Sequence, residues 1–180
     1  MRRRARQFGR INEATGIFMR ENIRTNGAIF LVGLAALGLT GSPSTAQDVG
    51  AAPTYAKVEL DSGFTPDPQF FNVTSGGTLA ASSIGSPCTG YIADAPDVRL
   101  VYSAGSLPLI ISTRSDGDTT LAVHAPDGRW YCDDDGGNAG LNAMVRFNAP
   151  QSGNYAIFVG SYSSGAYLNS EVAISEVSSQ

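Results

Sequence analysis

Five aspartates stand out among the residues that could do chemistry. Asp133, Asp134 and Asp135 are consecutive and run into Gly136-Gly137-Asn138, while Asp116 and Asp118 lead into an earlier apolar segment. Adjacent carboxylates repel, and a hard cation taking six to eight oxygen ligands relieves that repulsion. Asp116, Asp118, Asp133, Asp134 and Asp135 therefore form a candidate calcium site, with the glycines letting the loop fold around the ion. Their spacing does not alternate as an EF-hand loop requires. A solvated acidic loop without an ion is the competing reading.

Covalent catalysis finds less support. A serine protease needs a nucleophile, a base and an orienting acid. The chain has a single histidine, His124, in a segment whose other face carries Leu121 and Val123. Gly160-Ser161-Tyr162-Ser163-Ser164-Gly165 evokes a nucleophile elbow, but Ser161 stands two before Ser163 where that turn needs glycine, and no helix pattern follows. No catalytic residue is assigned, and the expected class is a non-enzyme. Trp130 and Tyr131 are candidate ligand-binding aromatics, able to stack on a sugar or a peptide side chain; packing beside a disulfide is their other reading.

The elements that must hold these residues are strands. Between residues 55 and 180, short segments with period-two alternation are separated by Gly, Pro, Asn, Asp and Ser. Strands are predicted near 56–60, 69–74, 98–102, 108–112, 119–125, 129–132, 144–148, 155–162 and 171–176. Turns are spelled out at Ala125-Pro126-Asp127-Gly128 and Ser152-Gly153-Asn154. Short strands in this number argue an all-β, antiparallel, jelly-roll-like β-sandwich. A hairpin through Pro126-Asp127-Gly128 would bring Asp118 towards the Asp133–Asp135 loop.

The N-terminal segment reads as an address. Seven of the twelve basic residues precede the apolar run Ala28–Leu39, and Ser44 and Ala46 supply small residues at the −3 and −1 positions of a cut after Ala46. That run is shorter than the roughly 20 residues a membrane-spanning helix needs, so residues 1–46 are expected to be a signal peptide rather than an anchor. The leader is long for one, and Met19 is the expected start. Residues 47–54 are expected to be a linker and 55–180 the domain, periplasmic or secreted, with no transmembrane segment after cleavage.

Cleavage would leave five basic residues against fourteen acidic ones, a formal balance of −9. Such a domain has no basic cluster for a nucleic-acid backbone. Cys88 and Cys132 both survive, and in an oxidising compartment they read as one disulfide, the alternative being two buried thiols.

The order DTTLAVHAPDGRWYCDDDGG from Asp118, then MVRFNAPQSGNYAIFVGSY from Met144, resembles the bacterial pre-peptidase C-terminal domain and related secreted β-sandwich modules. These share an Asp-x-x-Leu strand, a Pro-Asp-Gly turn, an acidic loop and a Ser-Gly-x-Tyr strand ending in Val-Gly. Upstream, Ser75-Gly76-Gly77, Cys88-Thr-Gly-Tyr-Ile and Pro96-Asp97 are similar to a cysteine-containing proteobacterial variant, some members of which carry a "peptidase S1" label. The resemblance spans about residues 55 to 177. It implies an appendage of secreted proteases used for targeting or binding, not the protease itself, and adds to the calcium reading. The expected function is a non-catalytic binding or accessory module engaging a protein or glycan of the cell envelope or exterior. The alternatives are a stand-alone structural envelope protein and, third, a proteolytic one.

Overall fold

The structure, a computed structural model, describes residues 47–180. The expected signal peptide and the start at Met19 lie outside those residues. Eleven strands are formed: β1 Ala56–Asp61, β2 Gln69–Thr74, β3 Leu79–Ala80, β4 Tyr91–Ile92, β5 Val98–Ser103, β6 Leu109–Ser115, β7 Thr119–His124, β8 Trp130–Asp133, β9 Met144–Phe147, β10 Gly153–Ser161 and β11 Asn169–Ser175. One turn of 3-10 helix, Ala81–Ser83, is the only helical piece among the described residues.

The strands make two packed sheets, the all-β sandwich predicted from the alternation. The larger runs β1-β5-β10-β7-β8, and the smaller runs β2-β11-β6-β9. From β5 onward the chain alternates between sheets, apart from the β7–β8 hairpin. The sandwich is not wholly antiparallel: β1 pairs with β5 in parallel, from Ala56 opposite Val98 to Asp61 opposite Ser103. A parallel neighbour needs a long crossover, and β2 to β4 supply it.

The inward-facing residues follow the period of two. Val98, Leu100 and Tyr102 on β5, Leu121 and Val123 on β7, and Tyr155, Ile157 and Val159 on β10 meet Leu109, Ile111, Val172 and Ile174 from the smaller sheet. All twelve are essentially withdrawn from water. Burying an aliphatic side chain of this size contributes about 1.5–3 kcal/mol, so this layer dominates the stability of the domain.

β10 changes partners along one edge. Residues 153–157 pair with β5, and Ser161 pairs with Tyr91 of β4, which carries β3 beyond it. At the junction Val159 has no strand neighbour on that side. Its N–H donates to the carboxylate of Asp97 at 2.6 Å, and its carbonyl accepts the N–H of Gly76 at 2.9 Å. An unpaired buried backbone group would be costly, so Asp97 and Gly76 complete the sheet where strand pairing fails.

The outer face of the larger sheet carries a second, smaller core. Ala122, Ala156 and Phe158 project outward and are covered by Ala81, Cys88 and Ile92, with Trp130, Cys132, Ile84 and Val49 at the margin. The Cys88–Cys132 disulfide is formed and ties the covering segment to β8. Residues 47–54, predicted to be a linker, are docked. The N–H of Asp48 donates to the carbonyl of Asp94 at 3.0 Å, and the Arg99 guanidinium donates to the carbonyls of Val49 and Ala51, each at 2.7 Å. The sequence of 47–51 conceals this, because its polar attachment runs through the backbone.

Candidate functional site

Of the five aspartates proposed for a cation, the structure brings three together. Carboxylate oxygens of Asp118, Asp134 and Asp135 all lie within 4.8 Å of one another. Asp118 enters from the start of β7, and the β7–β8 hairpin returns the chain so that Leu121 faces Asp133; the next two residues then reach back over the strand end. Asp133 is turned elsewhere: its Oδ2 accepts the N–H groups of Gly136 at 2.7 Å and Met144 at 2.8 Å. Asp116 instead lines a cleft with Arg114 and Tyr55.

The loop that carries Asp134 and Asp135 is fixed by a residue whose role the sequence does not advertise. Asn142 is 3% exposed. Its Oδ1 accepts the Thr119 hydroxyl at 2.9 Å, and its Nδ2 donates to the carbonyls of Ser115 at 3.2 Å and Ala139 at 2.5 Å. Gly137 packs so closely that a Cβ there would lie 2.6 Å from the Asn142 carbonyl oxygen. Gly137 is thus needed for close backbone approach, whereas a Cβ at Gly136 would meet the Asp133 carboxylate at 2.6 Å.

Electrostatics at the triad favour a positive guest. Burial first, then the charge of Asp135, raises the pKa of Asp118; burial, then Asp135, Asp118 and Asp133, raises that of Asp134. The Oδ1 atoms of Asp118 and Asp134 are buried without a hydrogen-bond partner. Orphaned carboxylate oxygens of this kind suit an oxygen-seeking cation such as calcium.

Trp130 and Tyr131 do not form one platform, because consecutive strand residues face opposite sides. Trp130 lies on the outer face, edge-on to His124 at 5.1 Å and tilted against Phe158 at 5.4 Å. Tyr131 faces the sandwich end, where it packs on Phe147 at 4.8 Å and donates to Asp127 at 2.7 Å. The serines of the failed elbow are also accounted for in part: Ser161 is buried, with its hydroxyl 2.7 Å from that of Ser75.

Two open clefts beside the end of β2 carry no signal in the sequence. One, of about 610 Å³, lies over Asn72, Thr74, Arg114 and Glu171; the other, of about 320 Å³, is lined by Gly76, Gly77, Asp94, Asp97 and Tyr167. Tyr55 and Thr74 line both, so the two adjoin. Tyr55 is 44% exposed and Tyr167 58%. Exposed tyrosines carried no sequence signal separating them from Tyr102 and Tyr155, which are buried.

No protein-family model matches the chain, and no curated protein sequence does. Among solved structures, it is similar to the crystal structure of Aeromonas hydrophila PliG, a periplasmic lysozyme inhibitor of g-type lysozyme. The match covers 67% of this chain and 96% of that one, with 14% identity and a TM-score of 0.35.

Proposed function

We propose that this chain is an exported, non-catalytic binding module, a β-sandwich of the pre-peptidase C-terminal type that engages a protein or glycan of the cell envelope or exterior. The observation that carries the reading is the pair of adjoining clefts beside the end of β2, lined by the exposed Tyr55 and Tyr167. Tyrosine supplies a large contact area at low conformational cost and is enriched at interface centres. The disulfide supports an oxidising destination. His124 rests edge-on against Trp130, a packing role rather than that of a base poised on a nucleophile.

We further propose calcium at Asp118, Asp134 and Asp135, with the role of ordering the loop rather than reacting. The orphaned Oδ1 atoms support it, and an ion there would pin the strand end that precedes Tyr162, whose N–H donates to the Asp118 carbonyl at 3.1 Å.

The test is capture from a solubilised envelope fraction and a glycan array, using wild type beside Tyr55→Ser/Tyr167→Ser. A saturable ligand that the double variant loses supports the module. Equal capture by both proteins, or repeated blanks with folded wild type, would favour a structural envelope role.

A further inference from the structure

The strand register places a second polar site on the outer face of the larger sheet, away from the tyrosine clefts. One rung crosses five strands. Lys57 of β1 stands opposite Arg99 of β5, Arg99 opposite Ala156 of β10, Ala156 opposite His124 of β7, and His124 opposite Trp130 of β8. Paired residues share a face, so all five project to the same side. Lys57 is exposed and engaged with Glu59 at 3.2 Å. Between Arg99 and His124 the rung has only Ala156, itself buried in the outer core, and a groove of about 480 Å³ lined by Arg99, His124 and Asn154 opens beside it. Two strand spacings put the Arg99 and His124 backbones roughly 10 Å apart, so both side chains reach the same groove.

The charge of this groove is the reverse of its surroundings. Asn154, Ser152 and the Gly153 backbone complete the polar lining, and no acidic residue is among those that line it. The other clefts contain Asp94, Asp97, Asp116 and Glu171. Among the described residues the ion pairs are Lys57–Glu59, Arg114–Glu171 and Arg129–Asp127, and Arg99 belongs to none. One of its nitrogens holds the Val49 and Ala51 carbonyls. That clamp fixes the guanidinium in place and leaves its positive charge without a carboxylate partner. Arginine, with five N–H donors in a planar fork, is suited to carboxylate recognition.

We infer that the Arg99–Ala156–His124 groove is a carboxylate-binding subsite. The guanidinium takes the carboxylate as a charge-assisted pair, and the His124 ring and Asn154 amide supply further donors from the opposite wall. Nothing in this inference depends on the Tyr55 cleft or on calcium.

The chain carries its own reporters, because His124 is its single histidine and Trp130 its single tryptophan, and the two rings touch. Tag-free protein from residue 47 onward is titrated with sodium succinate while the His124 ring and Trp130 indole NMR signals are followed. Sodium chloride at matched ionic strength and neutral succinamide are the controls. Saturable shifts with succinate alone are expected. Asn154→Asp places a competing carboxylate in the groove without touching the Arg99 clamp, and should abolish the shifts. His124→Gln and Arg99→Lys, read at Trp130, should each weaken binding about tenfold or more, the worth of a charge-assisted hydrogen bond. Shifts reproduced by sodium chloride, or undiminished in folded Asn154→Asp, would overturn the subsite.

Discussion

Asp97 makes a prediction whose sign and size follow from its position. The residue is 2% exposed, and burial pushes its pKa from 3.8 up to about 7 against the opposing hydrogen bond from the Val159 N–H. The folded state therefore prefers the neutral acid. Below the unfolded pKa, near 4, the group is protonated in both states and costs nothing. As pH rises towards 7 the unfolded chain ionises freely while the folded chain resists, so stability falls across that window and the loss is complete above it. A gap of about 3 units at 1.36 kcal/mol each gives about 4 kcal/mol. Asp97→Asn keeps an acceptor for the Val159 N–H and cannot ionise. Urea unfolding followed by Trp130 fluorescence at a series of pH values between 4 and 8 should show the two proteins diverging, with the variant more stable by up to about 4 kcal/mol at the upper end. Asp97→Ala should lack the benefit, because Val159 loses its partner at a cost of about 1–3 kcal/mol. Parallel curves for wild type and Asp97→Asn would refute the assignment of Asp97 as a buried, reluctant carboxylate.

Three further outcomes are expected. Replacing both Cys88 and Cys132 with serine opens a loop of 44 residues and should cost about 4 kcal/mol in denaturant unfolding, with the Ala81–Cys88 segment losing amide protection first. Calcium at a hundredfold excess over its Kd should raise the melting temperature of wild type by on the order of 10 °C relative to chelator. Asp134→Asn should abolish that rise and, in chelator, melt above wild type because repulsion with Asp118 and Asp135 is relieved; equal melting of wild type in both buffers would end the calcium proposal. Tyr102→Phe removes a hydroxyl bonded to the buried Glu176 carboxylate, which also accepts the Gly63 N–H at 2.7 Å, and should cost about 1–3 kcal/mol by equilibrium unfolding.

What could be read from the sequence is what depends on one strand at a time. The alternation in Val98–Ser103, Thr119–His124 and Gly153–Ser161 announces strands and the correct inward face, because side-chain direction along a strand is local. Leu79–Ala80 and Tyr91–Ile92 escape because two residues cannot display a period. The acidic triad was legible in part. Spacing alone brings Asp118 near the Asp133–Asp135 loop once the hairpin is drawn, yet it cannot say that Asp133 spends its oxygens on Gly136 and Met144. Trp130 and Tyr131, adjacent in sequence, are separated by the sheet itself.

The features that matter most for chemistry belong to the register between strands, which no single segment encodes. Asp97 is buried because β10 leaves β5 before reaching β4, so a side chain must fill a place that backbone would otherwise occupy. Arg99 and His124 are neighbours across Ala156 only in the observed pairing. A one-residue slip of β7 against β10 would turn His124 into the sandwich and bring Val123 out. That slip is opposed on both faces, since Leu121 and Val123 are buried in the main core and Ala122 lies against Phe158 and Cys88 in the outer one. The two cores thus fix the register from opposite sides, and the basic groove follows from that constraint. A protein that keeps the main core but loses the outer one, as in the double serine variant, should therefore retain its strands while the coupling between His124 and Trp130 loosens. The His124 ring signal and Trp130 emission would report this before any change in far-ultraviolet circular dichroism, and an unchanged ring signal in that variant would show that the main core alone sets the register.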